Sequence, residues 1–325
     1  MQLILHVGLP KTATTTIQFV MDSAKAELAA LGVLYPGTTR TQIRLVQHSQ
    51  FKQREGAAAA DSLAEAMAQV AEEVRAVRPQ QIVLSCERMI LVSPGAVARM
   101  QRAIADWLPE VEAVRVLAYL RDPVSWATSL CQQRLKMGTA RLADFAADPW
   151  PLRLEPMLKK YADRYGRKAV ELRLLRPELL LNGNVIDDFL AAIGLEGFTS
   201  PVAAPMLNRS LTLHGVQVAD VLADLVPRGR RQGVRKRLFR QLLQAIEGPR
   251  FVLPQQVQER IIAASKSDVE YVRQHWGLTL RAELLAQPDA PALDGDAVLA
   301  LALELVETVE RAVIEDEGPE EDDGS

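Results

Sequence analysis

The chain is poor in cysteine. It has two in 325 residues, Cys86 and Cys131, and neither stands at metal-ligand or disulfide-framework spacing. That excludes a thiolate zinc site and a disulfide scaffold and leaves both as core thiols. Long unbroken apolar runs are also missing. Asp296–Ile314 is rich in Leu and Val, but Glu304, Glu307, Glu310 and Arg311 interrupt it. It therefore reads as a helix covering a sheet or a second copy in a homo-oligomer, not as a transmembrane segment. The N-terminus has no basic lead followed by a cleavable apolar core, which points to a cytoplasmic protein. No internal repeat is visible.

What is present is a globular composition, 48% hydrophobic, on a chain long enough for a substantial core. Its charge is unevenly placed. Residues 315–325 hold seven acids and no base, the pattern of a disordered, solubilising tail. Without those seven, 34 acids face 38 bases, so the folded body is mildly basic, as suits an anionic ligand. Between Arg228 and Arg240 lie seven bases and no acid: Arg228, Arg230, Arg231, Arg235, Lys236, Arg237 and Arg240. The run reads as a solvated helix face or as a dock for an anionic glycan or another acidic acceptor. Nucleic acid fits it poorly, because aromatic residues that could stack bases are scarce there.

The N-terminal segment carries the strongest signal. Gln2–Val7 alternates and is β-rich, Gly8 and Pro10 end the strand, and Ile17, Phe19, Val20 and Met21 begin an amphipathic helix. Between them, Lys11-Thr12-Ala13-Thr14-Thr15-Thr16 occupies the helix N-terminus, where unpaired amides and the positive dipole end favour an anion. Four threonines in five positions are poor helix formers, and a structural helix start needs only one of them as a cap. Several hydroxyls point to a ligand with several oxygens. The ATP and GTP loop G-x-x-x-x-G-K-[ST] does not match: the second glycine is missing and Lys11 opens the turn rather than closing it.

A second apolar run, Val114–Tyr119, reads as a buried parallel strand ending in Leu120-Arg121-Asp122-Pro123. Arg121 thus stands at a strand end, where α/β sheets bind ligands. A helix starting near Pro123 could bring the Ser129 hydroxyl beside its guanidinium, a pairing suited to a phosphate monoester.

Taken in order, Gly8-Leu9-Pro10-Lys11-Thr12-Ala13-Thr14-Thr15-Thr16 and Tyr119-Leu120-Arg121-Asp122-Pro123-(x5)-Ser129 resemble the two signatures of sulfotransferases that use 3'-phosphoadenosine 5'-phosphosulfate (PAPS). The chain is most similar to a bacterial sulfotransferase family whose first loop reads roughly G-x-P-K-T-G-T-T and whose later strand ends S-x-E, here Ser85-Cys86-Glu87. Asn208-Arg209-Ser210-Leu211 looks like a further family element, and the resemblance covers about residues 1–215. It implies a P-loop-like architecture, PAPS as co-substrate with no metal, and transfer of the sulfuryl group to an acceptor hydroxyl, with a saccharide or glycan slightly favoured. By the same resemblance Lys11 contacts the 5'-phosphate and the bridging oxygen. Gly8, Pro10, Thr12, Ala13, Thr14, Thr15 and Thr16 form the cradle, and Arg121 and Ser129 hold the 3'-phosphate. Ala13 departs from the family's usual glycine; if that position needs a positive φ, alanine strains it.

Two residues compete as general base. His48, a histidine in a loop between the first helix and the strand near Ile82, resembles the chain position of the base in related enzymes, and imidazole is a side-chain type suited to proton transfer. Glu87 closes a buried strand, and burial would raise its pKa into the working range; its structural alternative is an ion pair with Arg88 or Lys11. Ser210 or Thr212 reads as the cap of a helix beginning near Thr212. Arg173 lies on a strand, reaching an acceptor cleft or facing solvent, and the acceptor pocket is expected from loops 35–55 and 136–156. An ATP-dependent phosphotransferase and a catalytically silent nucleotide-binding module are the other readings of the same loop.

Strands near 2–7, 82–86, 114–119 and 169–175 alternate with helices near 16–32, 60–77, 95–108, 123–137, 154–165 and 184–194. That alternation implies a three-layer α/β/α fold around a parallel sheet. The expected organisation is a sulfotransferase core over 1–210, a helical extension over 211–314 packed on it, including Gln255–Trp276, and the tail 315–325.

Overall fold

The computed structural model describes residues 1–50, 57–148, 152–202, 210–226, 229, 231–288 and 291–317. Five strands form one sheet: β1 (Gln2–Val7), β2 (Val33–Leu34), β3 (Gln81–Cys86), β4 (Ala113–Leu120) and β5 (Val170–Leu174), in the order β2-β3-β1-β4-β5 with every neighbouring pair parallel. The helices of the first two-thirds of the chain are α1 (Thr14–Ser23), α2 (Lys25–Ala30), α3 (Ile43–Gln50), α4 (Ala57–Val77), α5 (Pro94–Trp107), α6 (Pro123–Lys136), α7 (Leu142–Ala147), α8 (Leu154–Tyr165) and α9 (Val185–Ala192). Then follow α10 (Leu213–Leu225), α11 (Gly233–Ala245), α12 (Gln255–Ala264), α13 (Lys266–Trp276) and α14 (Gly295–Glu317). The fold is α/β around an all-parallel sheet, consistent with a three-layer arrangement.

The chain divides into two compact units that are not consecutive in sequence. Residues 1–121, 153–207 and 267–280 form the first, and 122–152, 208–266 and 281–325 the second. The expected boundary at residue 210 therefore captures only part of the division, because 122–152 cluster with the later helices and most of α13 returns to the sheet.

In the first unit, Ile4, Val83, Leu117 and Tyr119 pack with Ile17 and Met21 of α1, Leu28 of α2 and Phe189 and Leu190 of α9 as one buried cluster, while α8 lies against β4 and β5. The alternation expected of Gln2–Val7 does not translate into a wet face. Leu3 through Val7 are all buried, His6 included, because β1 lies between β3 and β4 with packing on both faces. Arg173 lies on the half-exposed face of the alternating strand β5, where it makes a two-pronged contact with Asp188 at 2.6 and 2.7 Å and bonds Glu171 at 2.9 Å. The Tyr119 hydroxyl donates to the same Asp188 at 2.7 Å, so the network ties α9 to β4 and β5.

In the second unit, α10, α11 and α14 pack together, and α6 meets α7, α10, α11 and α12. Thr212 caps α10, its hydroxyl accepting from the Gly215 amide at 3.0 Å. Gln255–Trp276, expected as one helix, divides at Ser265 into α12 and α13. The basic run is not one solvated face. Arg231 is buried against the Leu222 and Val226 carbonyls and Arg235 pairs with Glu310, whereas Lys236, Arg237 and Arg240 are exposed. Phe239, the aromatic residue of the run, is buried. Arg228 and Arg230 lie outside the described residues, as do Asn208, Arg209 and residues 318–325. Among the described residues no helix is long and apolar enough to cross a membrane.

Candidate functional site

The sheet order decides where a ligand would sit. After β1 the chain moves through α1 and α2 to the edge strand β2 and back to β3; after β3 it crosses over β1 to β4 and continues outward to β5. The connections leaving β1 and β4 thus diverge. The crevice beyond the carboxyl ends of these two adjacent strands is the topological switch point, the usual binding place in open α/β sheets. The loop bearing Lys11 follows β1, and Arg121 follows β4 directly.

The two sides meet there. Arg121 Nη1 donates to the carbonyl of Lys11 at 3.4 Å, a long hydrogen bond that places the guanidinium against the loop. Glu87, half-buried at the first position after β3, is the third charged group, and Lys11 feels both Glu87 and Arg121. Burial pushes the Lys11 ammonium below its ordinary value, Glu87 draws it back up, and Arg121 lowers it again. Burial raises the Glu87 carboxyl above its ordinary value, with Lys11 opposing. Removal from water thus weakens the charge on both sides, so each leans towards its neutral form.

The loop itself is tightly wound. Lys11 and Ala13 both occupy the left-handed region, at φ 69° and 61°. Thr16 and Ile17 both donate to the Ala13 carbonyl, starting α1, and the amides ahead of them have no intrahelical carbonyl to bond. The Thr12 hydroxyl turns inward to the Leu9 carbonyl at 2.7 Å, and Thr15 is exposed. Thr14 is buried at 3% exposure, and its hydroxyl has no hydrogen-bond partner among the described residues. A Cβ on Gly8 would come within 2.2 Å of that hydroxyl oxygen, so only glycine lets the Thr14 side chain lie over the strand end.

His48 is not a loop residue. It sits half-buried in the last turn of α3, a helix that packs on α4, α5 and the 3₁₀ turn Glu87–Leu91. Of loop 136–156, the segment Leu142–Ala147 is helical, and residues 149–151 lie outside the described residues, as do 51–56 of the other loop. Ser129 is half-buried on α6, in the second unit. Pro123 stands at the first turn of that helix. Cys86 and Cys131 are both buried and free, and burial pushes the Cys131 thiol up to about 12.

Sequence reasoning missed the polar cluster beneath the loop. His6 Nδ1 lies 2.8 Å from Ser85 Oγ, to which Gln18 of α1 also donates at 3.1 Å. His6 is fully buried between Tyr119 and Phe189, its Nε2 has no partner among the described residues, and burial lowers its pKa to about 3, so it is neutral. The available signal was a histidine and a serine inside two otherwise apolar strands; His6 and Ser85 are register partners on β1 and β3. Comparison with known protein families, with characterised proteins and with solved structures yields no match.

Proposed function

We propose that the protein is a PAPS-dependent sulfotransferase acting on an acceptor hydroxyl, a saccharide or glycan hydroxyl being the favoured class. The observation that carries this reading is the meeting of the Lys11 loop and Arg121 at the switch point, two cationic grips of different chemistry on adjacent strand ends. A nucleotide phosphorylated at both its 3' and 5' positions matches two grips, whereas ATP has no 3'-phosphate for Arg121 to hold.

The roles follow from where charge develops. In the transfer, an acceptor oxygen bonds to sulfur, the bond from sulfur to the 5'-phosphate oxygen breaks, and the acceptor's proton passes to a base. Lys11 and the free amides of α1 would stabilise the negative charge growing on the leaving phosphate, an interaction stronger in the transition state than before it. The orphan Thr14 hydroxyl fits an oxygen-rich ligand there. Arg121 would hold the 3'-phosphate through its planar fork. Glu87, half-buried and raised above an ordinary glutamate, has the environment of a general base, and its neighbour Lys11 keeps it within reach of ionisation. His48 is the second candidate, on a helix packed against the turn that begins with Glu87.

Calorimetry with 3',5'-adenosine bisphosphate, ATP and 5'-AMP tests the reading. The expected result is a preference for the bisphosphate that Arg121→Ala removes. Equal or tighter binding of ATP with magnesium would favour a phosphotransferase. Bisphosphate binding with no donor consumption across an acceptor panel would favour a silent nucleotide-binding module.

A further inference from the structure

β2 pairs with β3 only through Val33 and Leu34, opposite Gln81 and Ile82. Beyond that point the chain leaves the sheet, and the outer edge of β3 would run on to Glu87 with unpaired backbone groups, costly when buried. The Ser85 edge is instead closed by one residue of the departing loop. Gln42 Oε1 accepts from the Ser85 amide at 2.6 Å, and the Gln42 amide donates to the Ser85 carbonyl at 3.2 Å. The same side chain donates through Nε2 to the Pro36 carbonyl at 2.8 Å, closing the loop 36–42 on itself. Thr41 adds a hydroxyl bond to the Ser85 carbonyl at 3.1 Å.

The same serine is held from the phosphate-loop side. Gln18 Nε2 reaches its carbonyl at 3.3 Å, besides the contacts of Gln18 and His6 to its hydroxyl. Past Glu87 the 3₁₀ turn is clamped by α8, with the Tyr161 hydroxyl on the Met89 carbonyl and Lys160 Nζ on those of Ile90 and Val92. Glu87 is therefore bracketed by two anchors, and the earlier one is built on Gln42, which is 7% exposed.

We propose that Gln42 is a positioning residue: standing in for the strand that β3 lacks beyond Leu34, it holds the loop 36–42 and the Ser85–Glu87 segment in one relation to the Lys11 loop. This rests on the reading of Lys11 and Glu87 as the reacting site. Gln42 touches no reacting atom; it acts through Ser85, two residues before the carboxylate.

The Glu87 charge is set by burial first and then by Lys11 across the site, with Arg121 acting on Lys11 and Glu87 itself bearing on the adjoining Cys86 thiol. The test is a carboxyl-carbon NMR titration of the full chain labelled at glutamate, with Glu87 assigned by its disappearance in Glu87→Gln. In the wild type the Glu87 midpoint is expected above the ordinary glutamate value, because the carboxyl is withdrawn from water. In Gln42→Met, which keeps volume and removes the side-chain bonds, the midpoint is expected to fall back towards that value, because burial is the larger cause of its elevation. Lower thermal stability with an unmoved midpoint would mean that Gln42 is an ordinary loop anchor, and would overturn the proposal. If Gln42→Met does not fold, Thr41→Val carries the same titration, with a smaller shift in the same direction expected and an unmoved midpoint again overturning the idea. Bisphosphate calorimetry on the wild type is a separate measurement. Absence of binding there counts against the sulfotransferase reading without altering what the titration says about Gln42.

Discussion

At the scale of single residues, the most informative departure is Ala13. Its place where the sulfotransferases this loop resembles usually carry glycine was visible in the sequence, and so was the condition under which it matters; only the fold could supply the φ of 61°. An L-residue in the left-handed region costs about 1–2 kcal/mol, and glycine loses about 0.5–1 kcal/mol more chain entropy on folding. Ala13→Gly is therefore expected to stabilise the protein by up to about 1 kcal/mol. A denaturant titration should show a raised midpoint with an unchanged slope, and a lowered midpoint would contradict the wound loop. His6 makes the opposite case, a residue whose chemistry could not be read in advance because an apolar strand does not reveal which of its faces is dry. Its pKa of about 3 when folded lies below the ordinary 6.5, so folding excludes a proton that the unfolded chain binds. The stability contributed by neutral His6 is fully present above pH 6.5 and is lost as pH falls towards 3, by about 1.4 kcal/mol per unit and at most about 5 kcal/mol in all. In urea melts from pH 7 to 4, His6→Asn should start less stable and fall more gently by that slope. Parallel curves for the two proteins would mean that His6 protonates in the folded state.

At the scale of elements, periodicity served where one pattern was long and failed where local signals were short or mixed. The strands over 2–7, 81–86, 113–120 and 170–174 lie within a residue or so of their expected spans, since β1, β3 and the later part of β4 are continuously buried stretches rich in apolar residues and β5 alternates buried apolar with half-exposed charged ones. β2 was not legible because two residues carry no periodicity; Val33 and Leu34 are a strand only through their partners Gln81 and Ile82. α3 was read as loop because Arg44, Gln47, His48 and Ser49 outweigh Leu45 and Val46 in composition, yet those two apolar side chains are buried and hold the helix down. That error bears on function, since it moves His48 from a loop to a helix end. α12 and α13 read as one helix for the reverse reason: nothing at Ser265 announces a break, and the Ser265 amide continues to bond the Ile261 carbonyl. Thr212 was legible as a cap because a threonine before an apolar-periodic stretch has a local role that tertiary packing rarely overrides.

At the scale of the whole molecule, a parallel sheet was implied by alternating elements, but strand order was not. A sequence shows which strands exist, while the crossing of the chain from β3 over β1 to β4 depends on long-range pairing. That crossing is what places the Lys11 loop beside Arg121, so the pair was legible as two motifs and not as one place. The division into two units escaped for a similar reason, because contact and not chain order joins 122–152 to the later helices. It also shapes how ligand binding should register. Unfolding of a chain with two compact units need not be a single transition, and a ligand stabilises whatever unit holds it by mass action. Lys11, Glu87 and Arg121 all belong to the first unit. The bisphosphate at about a hundred times its Kd should therefore stabilise the transition that includes the sheet by about 2.7 kcal/mol. Trp107 and Trp276 both lie in that unit and offer a fluorescence signal for it. In Lys11→Ala the ligand-free melt should hardly move, since Lys11 is half-buried and at a left-handed position, whereas the ligand-induced shift should vanish. A full shift retained in Lys11→Ala would place the nucleotide elsewhere and remove the ground for reading this loop as its cradle.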